Sequence, residues 1–274
     1  MKAEKKILKA LEIRKEIGDR QGEASDYGNL GNVFLCRGEF LKANESLEKA
    51  LTIRKEIGDR EGEARDYTNL GAVFQSLGEH DKAIKFHEQA HAITRQIGNR
   101  ELEAASYGNL GAVFQALGKH AEAVEYLEKA LAIKIEIGDK RGEAADYGNL
   151  GTVFKSLGEN GKAEEYDMKA LAIKKEIGDR QGEAACYGNL ATVFTSRRDY
   201  AKAEQCLEKA LFISRDIGDG EEEFKTLYRF ALLKFSERKI GEAFLYLLPS
   251  VQKCEDLRSL LEDNDQFKIS LTDE

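Results

Sequence analysis

Residues 24–63 read ASDYGNLGNVFLCRGEFLKANESLEKALTIRKEIGDREGE, and two helical patterns lie within them. In the first, Ala24, Tyr27, Leu30, Gly31 and Phe34 follow three- and four-residue spacings and so share one helix face. In the second, Ala43, Leu47, Ala50, Leu51 and Ile57 do the same. Gly38 lies between them as a turn residue. Gly58 suits the left-handed position that ends a helix. Asp59 then suits the N-cap of a following helix, where its carboxylate accepts a free backbone N–H. Gly31, Ala43 and Ala50 carry no bulk beyond a methyl group. They let the two helices approach closely, while Tyr27, Leu30, Phe34 and Leu47 fill the space around them.

Working outward, the same stretch returns every 40 residues. IGD recurs at Ile17, Ile57, Ile137, Ile177 and Ile217, with IGN at Ile97. YGNL recurs at Tyr27, Tyr107, Tyr147 and Tyr187, with YTNL at Tyr67. Ala3, Ala43, Ala83, Ala123, Ala163, Ala203 and Ala243 form one alanine column; Ala10, Ala50, Ala90, Ala130, Ala170 and Ala210 form another. One hairpin cannot cover both of its faces, so neighbouring units must stack. The expectation is an all-α solenoid of antiparallel helix pairs, with first helices on the inner concave wall and second helices on the outer one.

Composition agrees and narrows the function. The chain of 274 residues has a single proline, Pro249, no tryptophan and a formal net charge of −8. Few prolines favour long helices. Net acidity argues against a nucleic-acid partner, which needs clustered Lys and Arg. No apolar run approaches the ~20 residues of a membrane span. The N-terminus is too charged for a signal peptide, and Glu4, Glu12 and Glu16 argue against a mitochondrial presequence. The expected location is cytoplasmic. Cys36, Cys186, Cys206 and Cys254 form no C-x-x-C pair and are read as small buried or groove-lining residues.

At these residues the chain resembles the tetratricopeptide repeat (TPR) family. The family's small–large–small signature falls on Tyr27, Leu30, Gly31, Phe34, Ala43, Leu47 and Ala50. The usual repeat has 34 residues; six more, GDREGE at 58–63, make 40 here. The helix-ending proline of the family would fall at Lys55, so the second helix is expected to run on to Ile57. This long repeat is similar to the arrays of G-protein-signalling modulators, kinesin light chains and animal TPR–CHAT proteins. The resemblance implies a right-handed superhelical solenoid.

Four regions are expected. Residues 1–20 are the second helix of an incomplete first repeat. Residues 21–220 are five units of 40 residues. Residues 221–257 are a degenerate capping repeat, in which Lys234 replaces the Phe and Ser250 an Ala. Residues 258–274 are a tail. From Cys254 onward the sequence resembles the stretch that follows the array in large animal proteins with a caspase-like CHAT domain. No such domain is present here, which leaves a fragment, a short paralogue or a truncated gene model as alternatives.

His87-Glu88-Gln89-Ala90-His91 matches the helical zinc motif H-E-x-x-H. The repeat register reads it otherwise. His87 occupies the column of Leu47, Leu127 and Leu207, and His91 that of Leu51, Leu131, Leu171 and Leu211. Both are packing positions with histidine substituted, and no metal or cofactor is expected. Asp167 breaks the Leu47 column in the same way, with Gly161 and Asn160 nearby, so the second and fourth units are expected to be weaker than the third. Asn44-Glu45-Ser46 is a glycosylation sequon without meaning in a cytoplasmic helix. No P-loop, nucleophile elbow or paired catalytic carboxylates appear, so an enzyme is not expected.

The candidate binding residues are an asparagine column: Asn29, Asn69, Asn109, Asn149 and Asn189. Helix propensity does not explain five asparagines. The resemblance implies that this column faces the groove and pairs with the backbone of a bound extended peptide; the competing reading is that the amides cap or bridge neighbouring helices. Asn32 lies in a flanking column, and Arg65 is the one clear charge there. The clamp that grips chaperone C-terminal carboxylates in this family would need Lys at Gly28, Lys at Ala105 and Arg at Asn109 beside Asn32 and Asn69. All three cations are missing, which argues against a co-chaperone.

The expected function is a protein-binding scaffold or adaptor, a signalling component that holds an extended segment of a partner in the groove. The alternative is a regulatory or oligomerising arm of a larger enzyme of the CHAT protease kind. The uncovered apolar face of the first, incomplete repeat also predicts self-association through the N-terminal helix.

Overall fold

A computed structural model describes residues 2–270, with side chains for residues 4–256 and Ser259. The side chain of Ala3 in the alanine column, most side chains of the 258–274 tail, and residues 271–274 altogether lie outside the described residues. The described residues form helices and no strand, in two compact units, Met1–Gly138 and Asp139–Glu274. The first unit holds α1 (Lys2–Ile17), α2 (Arg20–Cys36), α3 (Phe40–Ile57), α4 (Arg60–Ser76), α5 (His80–Gln96), α6 (Arg100–Ala116) and α7 (His120–Ile137). The second holds α8 (Lys140–Ser156), α9 (Asn160–Glu176), α10 (Arg180–Ser196), α11 (Tyr200–Asp216), α12 (Gly220–Ser236) and α13 (Ile240–Ser270). Among the described residues, no helix is long and apolar enough to cross a membrane.

Local chemistry sets the helix ends. The carboxylates of Asp19, Asp59, Asp139 and Asp179 accept the backbone N–H of Gly22, Gly62, Gly142 and Gly182, each at 2.8–2.9 Å. Asn99 does the same for Leu102. Inside each hairpin the turn residue adopts the left-handed conformation, with φ of 73° at Gly38. In the fifth and sixth hairpins Arg198 and Arg238 take that conformation, at 61° and 62°. The helix α3 runs to Ile57, as the missing proline implied, and Gly58 caps it at φ 75°.

Packing within a hairpin turns on one close approach. A Cβ on Gly31 would lie 2.5 Å from Cγ of Leu47, so the first helix can rest on the second only where a side chain is absent. Gly111 meets Leu127 in the same way, at 2.7 Å. Around this point Leu30, Ala43, Leu47, Leu70 and Ala90 are buried in one core of the first unit; Leu190, Ala203, Leu207 and Ala210 are their counterparts in the second.

Within each unit, successive first helices touch: α2 with α4, α4 with α6, α8 with α10, and α10 with α12. No direct approach joins successive second helices among the described residues. The first helices therefore lie on the inner side of each unit, which places their exposed faces along its concave wall. The helix α13 continues past residue 257, with Pro249 inside it.

Candidate functional site

The inner wall is built from one face of each first helix. Asn29, Asn69 and Asn109 stand on α2, α4 and α6 of the first unit, and Asn149 and Asn189 on α8 and α10 of the second. Asn29 and Asn149 are exposed and the other three half-buried. Among the described residues, none of the five amides makes a side-chain hydrogen bond. The neighbouring Gly148 faces open space, since a Cβ there would meet nothing within 4 Å.

The flanking columns hold hydroxyls that are already engaged. Thr152 donates to the Gly148 carbonyl at 3.1 Å and Thr192 to that of Gly188 at 3.0 Å; Ser76, Ser156 and Ser196 likewise donate to their own helices. Their oxygens remain acceptors, so the asparagines are the amide donors of this wall. Asn32 is exposed on α2. Arg65 is exposed on α4 and pairs with Glu61 one turn earlier at 2.5 Å, so it stands as an ion pair rather than a lone positive charge.

In the sixth hairpin the asparagine column carries Arg229. Its guanidinium lies over Gly188 and donates to Glu222 at 2.8 Å. A cavity of about 340 Å³ opens there between α10, α11 and α12, lined by Thr192, Ser196, Leu207, Arg229 and Leu232 among others.

The two histidines of the H-E-x-x-H string have different neighbours. His87 is buried against Gly71, while His91 packs on Tyr107 with ring centroids 4.3 Å apart. Among the described residues, no group of three His, Cys, Asp or Glu side chains is placed to hold a metal ion.

Sequence reasoning missed the polar pairs that join one hairpin to the next. Arg14 on α1 meets Asp26 on α2 at 3.3 Å, and Arg54 on α3 meets Asp66 on α4 at 2.8 Å. Arg54 also reaches the cap residue Asp59 at 2.5 Å. Burial pushes the Asp66 carboxyl up to about 7, against the pull of Arg54; burial raises Asp26 too, against Arg14. At the corresponding columns stand Thr94 with Ser106, and Ser214 with Thr226, all buried. Where one column is charged the other is charged too, and where one holds a hydroxyl so does the other, with Thr94, Ser106 and Ser214 donating to carbonyls of their own helices. That signal lies in the sequence, in two columns read twelve residues apart. Lys174 departs from it: opposite Cys186, it turns to Asp179 at 2.7 Å instead.

Stacked helical hairpins with an open, amide-lined inner wall define a protein-interaction scaffold. A tetratricopeptide repeat model matches residues 1–56, 62–136 and 142–216, and the chain belongs to that family. No curated protein sequence matches it. Among solved structures it is similar to BtubC (BKLC) from P. vanneervenii, at 23% identity and TM-score 0.71 over 79% of this chain and 91% of that one. A putative kinesin light chain of Podosopora anserina with nearly identical TPR-like repeats is 22% identical, with TM-score 0.59 over 71% and 96%. A Rap protein complexed with competence and sporulation factor is 20% identical, with TM-score 0.69 over 88% and 68%. At these identities the likeness is one of fold.

Proposed function

We propose that each unit holds an extended segment of a partner protein against its asparagine column, and that the chain acts as an adaptor rather than a catalyst. The supporting observation is the set of five inner-wall amides that make no side-chain hydrogen bond among the described residues. Each offers a donor and an acceptor, the same pair that every peptide group of an extended segment presents. The alternative use, capping or bridging helices, would require hydrogen bonds that these amides do not make. The ion pairs Arg14–Asp26 and Arg54–Asp66 join successive helices, which gives these buried carboxylates a structural role. The structural relative complexed with competence and sporulation factor adds that this fold can carry a bound factor.

A single amide–peptide hydrogen bond nets about 1 kcal/mol, and ordering the segment opposes that gain. Affinity therefore comes from several rungs together. The test uses peptides selected from a displayed random-peptide library on the intact chain. Two double variants, Asn69→Ala with Asn109→Ala and Asn149→Ala with Asn189→Ala, are each expected to weaken the selected peptides about tenfold or more, with helicity by circular dichroism unchanged. Peptides that bind both double variants as tightly as the parent would rule the groove model out.

A further inference from the structure

The sixth hairpin differs from the others in what it exposes. On α12, Tyr228, Leu232 and Phe235 form one stripe; on α13, Ile240, Phe244, Leu248 and Val251 form another. All seven are between 46% and 66% exposed, and a cavity of about 370 Å³ lies between the two stripes. At the columns of Tyr228, Leu232 and Phe235, the first hairpin has Gly28, Asn32 and Leu35, the fourth Gly148, Thr152 and Lys155, and the fifth Gly188, Thr192 and Thr195. A following hairpin of the same kind would meet Tyr228 where the other hairpins carry glycine or, in the second, Thr68. A Cβ on Gly28 would already lie 3.4 Å from Asp66 of the following hairpin, and Arg229 of the following hairpin lies over Gly188.

We propose that this face pairs with the same face of a second copy of the chain, the two α13 helices running antiparallel about a two-fold axis. Charge supports that occupant. Arg238 and Lys239 are exposed at the start of α13, Lys239 paired with Glu237 at 3.3 Å; Glu255 and Asp256 are exposed beyond Val251. At 100° per residue Glu255 falls on the stripe side. Glu242 and Lys253 point the other way, toward Lys234 at 3.7 Å and Glu223 at 2.9 Å. The stripe thus carries the guanidinium of Arg238 at one end, is apolar along its length and carries the carboxylate of Glu255 at the other. Two such stripes laid antiparallel match base to acid at both ends, as a self-complementary two-fold contact requires. The exposed parts of the seven side chains amount to on the order of 700 Å², close to the ~800 Å² that each partner gives to a standard-size interface.

Sedimentation equilibrium on the full chain tests this. The expected result is a dimer in the micromolar range, and a monomer of unchanged circular dichroism for Phe235→Asp with Phe244→Asp. Charge variants provide a second measurement at exposed positions that leave the core alone. Arg238→Glu with Lys239→Glu, and separately Glu255→Lys with Asp256→Lys, are each expected to self-associate at least tenfold more weakly. An equimolar mixture of the two pairs restores both ends and should recover the parent's dimer affinity. The proposal is overturned by a strict monomer up to about 100 μM. It is also overturned by a dimer indifferent to these residues, which would place the contact elsewhere, as at α1, or by charge variants that do not rescue each other on mixing.

Discussion

In the third hairpin Leu127 rests on Gly111. In the second, His87 takes that place on Gly71, and in the fourth Asp167 takes it on Gly151, whose Cβ would lie 2.6 Å from the Asp167 carboxylate. One packing slot thus holds a base in one unit and an acid in the other. His87 is 1% exposed with both ring nitrogens unpartnered, and burial lowers it to about 4. Asp167 is 2% exposed with an unpartnered carboxylate oxygen, and burial raises it to about 7 against the pull of Lys155. The consequences have opposite signs. Between about pH 6.5 and 4 the unfolded histidine takes a proton that the folded one refuses, so the second hairpin loses stability as pH falls. Between about pH 4 and 7 the folded aspartic acid keeps a proton that the unfolded one gives up, so the fourth hairpin is most stable in acid and loses stability as pH rises. A slot shaped for leucine admits either group only in its neutral form.

Three substitutions test this contrast, read by amide hydrogen exchange in each helix. Asp167→Leu should have the largest effect. It is expected to stabilise α9 by about 4 kcal/mol at pH 8 and to remove the slope between pH 4 and 7. A slope that survives would mean another group drives it. His87→Leu should stabilise α5 by about 2 kcal/mol at pH 4.5, with a smaller gain at pH 8; an equal gain at both pH values would point to cavity shape rather than charge. Gly161→Ala should be the smallest change. Gly161 lies in the first turn of α9 and a Cβ there meets nothing within 4 Å, so the change should add up to about 0.5 kcal/mol to α9 at every pH. In the parent protein the third hairpin, with Leu127 in the slot, should be the best protected of the three and the least sensitive to pH.

The slot itself was legible in the sequence, because the register made His87 and Asp167 visible as breaks in a leucine column. The hairpins, the aspartate caps and the extension of α3 to Ile57 were legible for the same reason: each depends on residues close together in the chain. What depends on a neighbouring hairpin was not. Lys234, read as a decayed phenylalanine position, is buried with its ammonium 2.6 Å from Glu204 of the preceding hairpin and 3.3 Å from Glu237. Arg54 and Asp66 look like unrelated surface charges until α3 and α4 are brought together. The sixth hairpin was recognised by what it had lost, whereas its exposed face is defined by the large apolar residues it gained. Arg65, read as a clear charge, pairs within its own helix with Glu61 one turn earlier, a contact that the four-residue spacing already allowed.

The hairpin-to-hairpin pairs carry a consequence for how such an array can change length. The first hairpin presents Asp26 backward to Arg14 and Arg54 forward to Asp66, whereas the junction of the fourth and fifth, Lys174 with Cys186, has no such pair. Excising residues 59–98, a clean one-repeat deletion by sequence, would set the guanidinium of Arg54 against the hydroxyl of Ser106. A cation would then be buried without its acid, a loss of about 3–5 kcal/mol. Repeats that appear interchangeable letter by letter are therefore ordered by a grammar of matching ends. Unequal recombination between 40-residue homologous stretches would leave a stable product only where the joined halves agree.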